Sequence, residues 1–140
     1  MNRTQPWIVL VVALIAAGCA GNDQNKARVL DDTLKLYGSH VRWGHFRTAA
    51  QFLDPEKRPE ARQLEFTINR LEQVRITGYQ LVAQPMAAEA DHYIQVVELR
   101  LANRHTAVER TVRDRQVWRW EEESGRWWLT SGLPDISRRE

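Results

Sequence analysis

The chain has 140 residues, 43% of them hydrophobic and 27% charged, with 20 Lys and Arg against 18 Asp and Glu. That length suits one domain with a modest core, and the composition excludes both wholesale disorder and a polytopic membrane protein. A net charge of +2, with Arg and acidic residues interspersed, lacks the basic stripe of a nucleic-acid binder, and a single cysteine, Cys19, rules out an intrachain disulfide.

Arg3 is the sole cation of Met1–Pro6, and an unbroken apolar run follows from Trp7 to Ala17. Ala16, Ala17 and Gly18 then precede Cys19. This charged, apolar, small-residue order is that of a secretory signal. As a helix the run rises only about 16 Å, roughly half the hydrocarbon thickness of a bilayer, so it is read as a leader and not as a permanent span. The stretch Ile15-Ala16-Ala17-Gly18-Cys19 resembles the lipobox of bacterial lipoproteins. The resemblance implies removal of residues 1–18 and acylation of Cys19 by several chains, beyond the threshold for stable membrane attachment. Ala20, being other than Asp, implies by the same resemblance an outer-membrane anchor with the body in the periplasm.

Residues 19–28 are expected to form a lipidated tether, since Ala20–Lys26 is polar and flexible in composition. From Ala27 the spacing turns helical: Leu30, Leu34, Tyr37 and Val41 define one apolar stripe. Trp43-Gly44 punctuates it. Phe46, Ala49, Ala50 and Leu53 predict a shorter helix that stops at Asp54-Pro55. A third helix is expected over about 60–73, with Leu64, Ile68 and Leu71 in register.

After Gln73 the period becomes two. Strands are predicted from Val74 through Gly78, from Tyr93 to Leu101, from Thr111 to Glu121 and from Arg126 to Ser131, with turns from Pro85 onward, at 103–106 and at 122–125. Helices followed by strands give an α+β domain, N-terminal helices packed on a curved antiparallel sheet of about four strands. The order of elements and the final hairpin, Gln116-Val117-Trp118-Arg119-Trp120 through Gly125-Arg126-Trp127-Trp128-Leu129 with Ser131–Pro134 after it, resemble the NTF2-like (SnoaL-like) superfamily. The resemblance covers residues 29–134, implies a cone of helices capped by a bent sheet, and leaves 135–140 as a polar tail.

Whatever the turn length, pairing in that hairpin puts Trp118, Trp120, Trp127 and Leu129 on one face and Arg119, Trp128 and Thr130 on the other. The first face is read as core, with Arg119 stacked on Trp128. Along the inner face, Gln116 and Asp114 follow toward Val112, and a carboxylate there must be paired or sit at a wet cavity mouth. Tyr37, His40, Trp43, Asp114, Gln116 and Trp118 are therefore the pocket candidates. By likeness to ketosteroid isomerase-like relatives, Asp114 as base and Tyr37 as donor are the catalytic candidates. Arg113, Arg115, Arg119 and Trp128 are candidates for an interface, either with a second copy or with an envelope protein. His40 and His45 are off the i, i+4 spacing of a metal pair, so no metal or other cofactor is expected. The functional expectation is a lipid-anchored, non-enzymatic binding module, the alternative being a small hydrophobic ligand site or a catalytic cone.

Overall fold

The computed structural model describes residues 17–89 and 91–137, and the side chains of 21–83 and 91–137. Helix α1 (Ala17–Arg42) is followed by α2 (Phe46–Ala49), a 3₁₀ turn (Ala50–Phe52) and α3 (Ala61–Leu71). Strands β1 (Val74–Glu89), β2 (His92–Asn103), β3 (Glu109–Glu121) and β4 (Arg126–Leu129) come next. They form one antiparallel sheet in sequential order, curved and unclosed. The class is α+β, helices first, as the switch of period predicts.

The stripe on α1 explains its seat: Tyr37 and Val41 are fully buried, while Leu30 and Leu34 pack on the same core. The helix ends in a Schellman motif, with the His45 amide donating to the His40 carbonyl at 2.8 Å and the Gly44 amide to that of Val41 at 3.1 Å. Gly44 adopts φ +77° there, a conformation that costs any residue with a Cβ. Ile68 and Leu71 of α3, with Phe46 and Leu53, complete the helical side of the core.

In the last hairpin Trp118 pairs with Leu129, Trp120 with Trp127 and Glu121 with Arg126, so the turn is Glu122–Gly125, with Gly125 at φ +60°. Trp118, Trp120, Trp127 and Leu129 are all buried against the helices. The edge of β4 is met by a parallel bridge from Leu53 to Leu129, and the Asp54 amide donates to the Leu129 carbonyl at 2.9 Å.

Three expectations change. Ala20–Lys26 is helical, not an irregular tether. Contacts made by distant residues dock it: Trp127 Nε1 donates to the Lys26 carbonyl at 3.1 Å, Asn22 donates to Glu122 at 3.2 Å, and Lys26 Nζ meets Asp91 at 2.5 Å while lying 5.6 Å from the Trp120 and Trp127 rings. The chain does not turn at Pro85; β1 runs on to Glu89. Proline lacks the N–H a central strand needs but is tolerated on an edge strand, which β1 is, and its pairing with β2 shifts register repeatedly beyond Leu81. The body also extends past Pro134, because Ile136 is buried in the core. The leader reading concerns residues 1–18, of which 1–16 lie outside the described residues, and the Cys19 thiol lies outside the described side chains.

Candidate functional site

Cross-strand register builds the most polar part of the interior. Gln95 of β2 lies opposite Gln116 of β3, and Val97 opposite Asp114, all on the face turned toward the helices. Gln95 Nε2 donates to Gln116 Oε1 at 2.8 Å. Gln116 Nε2 donates in turn to Asp114 Oδ2 at 2.8 Å and to the Tyr79 hydroxyl at 3.1 Å. Because a carboxylate accepts only, Asp114 decides which way the Gln116 amide points, and that amide then orients Gln95 and Tyr79.

The chemistry of the cluster follows from its burial. Desolvation pushes the Asp114 carboxyl up to about 6, with the Gln116 hydrogen bond working the other way. Burial likewise raises the Tyr79 phenol to about 12, opposed by its bond to Gln116. Tyr37 is raised well above the usual tyrosine range, first by burial and then by the nearby Asp114 and Tyr79. Among the described residues its hydroxyl has no hydrogen-bond partner. The ring stands edge-on to Trp118 at 5.2 Å and to Phe52 at 5.7 Å.

Tyr79 and Gln95 also line a groove of about 640 Å³ that opens to solvent between α1 and the β1–β2 hairpin. Leu34, Trp43, Leu81, Tyr93 and Val97 supply its apolar lining, with Arg42 and the exposed Asp31–Lys35 ion pair at 2.6 Å. Gly38 makes the approach of helix and strand possible: a Cβ there would lie 3.0 Å from Tyr79 Cε1 and 3.1 Å from Cζ. Trp43, just beyond the helix, is 68% exposed. The Arg42 guanidinium sits 5.0 Å from its ring centroid and is held by donating to the Ile76 carbonyl at 2.6 Å.

Of the pocket candidates, Tyr37, Asp114, Gln116 and Trp118 lie in the interior and are buried. His40 is half-buried, its ring 6.0 Å from that of His45 and 6.1 Å from that of Phe52. Trp43 alone of the six lines the groove. Among the described residues no hydrogen bond joins the catalytic candidates Asp114 and Tyr37, and no group of three or more His, Cys, Asp or Glu is arranged to hold a metal.

Of the interface candidates, Arg113 and Arg115 are exposed on the outer face, opposite Glu98 and Val96. Arg119 and Trp128 are otherwise engaged. Arg119 Nε donates to Asp54 Oδ2 at 2.9 Å, whereas Arg126 lies 4.3 Å from the Trp128 ring centroid. Trp128 is buried and donates through Nε1 to Glu121 at 3.0 Å. The expected Arg119–Trp128 stacking is thus corrected: a buried carboxylate attracts a guanidinium more strongly than a ring face does. Burial would raise the Asp54 carboxyl, but the Arg119 bond, the Glu56 amide at 3.0 Å and the charges of Arg119 and Lys57 outweigh it and leave the group below the usual carboxylate range.

Sequence reasoning missed Tyr79, Gln95 and Asp54. Gln95 carried a usable signal, a polar residue in the inward phase of an alternation continued by Val97, Leu99 and Leu101. Asp54 carried none beyond the helix stop at Pro55, because its partner is 65 residues away. No protein-family model, curated protein or solved structure matches this chain.

Proposed function

We propose that this chain is a bacterial envelope lipoprotein, held to the outer membrane by acyl chains on Cys19, whose NTF2-like body is a non-enzymatic binding module facing the periplasm. The anchor rests on the lipobox-like run Ile15–Cys19 at the end of the apolar leader. Among the described residues no helix is long and apolar enough to cross a membrane, which is compatible with a lipid as the attachment. The binding role rests on one observation. The polar groups suited to chemistry, Tyr37, Asp114 and Gln116, are walled into the core, while an aromatic-rimmed groove lies open beside them.

The apolar share of that groove, Leu34, Leu81, Val97 and three aromatic rings, favours the second reading, a site for a small hydrophobic molecule. The exposed Arg113 and Arg115 offer the outer sheet face as a place for an envelope protein or a second copy. The anchor is tested by growth on labelled palmitate followed by membrane fractionation. The full chain takes up label and sediments with the outer membrane, and Cys19→Ser does neither; label retained in Cys19→Ser overturns the assignment.

A further inference from the structure

Where it reaches the groove, the hydrogen-bond chain leaves the Tyr79 proton weakly held and, among the described residues, the Gln95 oxygen without a donor. Both N–H groups of the Gln116 amide are taken, by Asp114 and Tyr79, and its oxygen accepts from Gln95 at 2.8 Å. The Tyr79 hydroxyl therefore keeps its own proton, which it offers to that same Gln116 oxygen at 3.5 Å, too long to satisfy a phenol. Among the described residues nothing donates to Gln95 Oε1. A neutral donor and a neutral acceptor thus belong to two groove-lining residues, both bonded to the same Gln116 amide behind them.

Around this pair the groove offers ring faces and not a closed greasy cavity. Trp43 presents an exposed indole at one side and Tyr93 a half-buried phenol at another. One charge pair nearby is matched, Asp31 with Lys35. Arg42 is positioned by the Ile76 carbonyl and the Trp43 ring, neutral partners that hold its guanidinium in place without cancelling its charge. What suits such a lining is a ligand with an apolar flat face and, at its edge, neutral groups that both donate and accept. A pyranose ring has this form: its C–H face lies on an aromatic ring and its hydroxyl or acetamido groups pair with an amide oxygen and a phenol.

We infer that the groove between α1 and the β1–β2 hairpin binds a saccharide chain, with Trp43 as the stacking platform and Gln95 and Tyr79 as the polar reader. The inference rests on the binding-module reading and names its ligand class. At about 640 Å³ the groove lies in the size range of small-ligand sites, and its open side lets a longer glycan run past.

The test uses the mature protein purified from membranes in nanodiscs, titrated by calorimetry with chitotetraose, maltotetraose and, separately, dodecanol. Saturable binding of at least one oligosaccharide is expected. Trp43→Ala should weaken it about tenfold, the size of one lost aromatic contact, Trp43→Phe should restore most of it, and Tyr79→Phe should weaken it while keeping the ring. Trp43 is exposed, so its loss does not threaten folding. Binding of dodecanol with none of either oligosaccharide overturns the saccharide assignment and leaves the binding module standing. Binding of none of the three overturns both, and oligosaccharide binding unchanged by Trp43→Ala places the sugar elsewhere and overturns the site.

Discussion

Replacing Arg119 with Leu tests the reading of the Asp54 pair. Asp54 is 1% exposed, and its carboxylate takes one hydrogen bond from Arg119 Nε at 2.9 Å and one from the Glu56 amide at 3.0 Å. Removing the cation leaves a buried anion on a single amide, a change that costs about 3–5 kcal/mol where both partners are dry. The Arg119 side chain retains 25% exposure, which points to the lower end, about 3 kcal/mol. The sign with pH is distinctive. In the wild type the Asp54 pKa lies below its unfolded value, so its contribution is complete above about pH 4 and lost as pH falls toward the folded value. In Arg119→Leu, burial is opposed by the Glu56 amide and the Lys57 charge alone, so the carboxyl moves up from its wild-type value and protonation relieves the variant. Urea unfolding at pH 7 and pH 4 should show the gap between the two proteins narrowing by at least about 1 kcal/mol in acid. A loss below about 1 kcal/mol at pH 7, or a gap independent of pH, would refute the argument that this pair is buried and dry.

Asp114 should behave in the opposite sense. Its pKa is raised to about 6, so it favours the folded state most below about pH 4 and progressively less as pH rises through 6, by on the order of 3 kcal/mol in total. Asp114→Asn, compared with wild type by urea unfolding at pH 7 and pH 4.5, should be the more stable protein at pH 7 and lose that advantage in acid. Gly44→Ala should lower stability by about 1 kcal/mol by forcing a Cβ into φ +77°, readable as a reduced urea midpoint at unchanged slope. Trp118→Ala, which removes a fully buried ring, should cost about 3–5 kcal/mol; a thermal midpoint within a few degrees of wild type would contradict its place in the core.

Periodicity alone, acting through local geometry, made the order of elements and the parity of faces legible. Side chains alternate along a strand whatever its partner. Trp118, Trp120, Trp127 and Leu129 therefore had to share a face, with Gln116 and Asp114 in the same phase, before any register was known. The helical stripe of Leu30, Leu34, Tyr37 and Val41 has the same local origin.

What only the tertiary structure decided are the matters of partner choice. Polar composition read Ala20–Lys26 as a tether, yet Trp127, Glu122 and Asp91 hold it against the hairpin as helix. Pro85 looked like a turn, yet β1 continues through it because the edge position asks nothing of its missing N–H. Arg119 faces Trp128 across the sheet, and only the arrival of Asp54 from the helical layer draws it away. The groove is of the same kind, since Gly38, Tyr79 and Gln95 come from three elements and meet only when the helix lies on the sheet. Sequence determines which face a side chain takes, because that is set by its own backbone and neighbours. Which distant group it meets there depends on how the layers pack, and the chemistry of this protein's interior and groove is of that second kind.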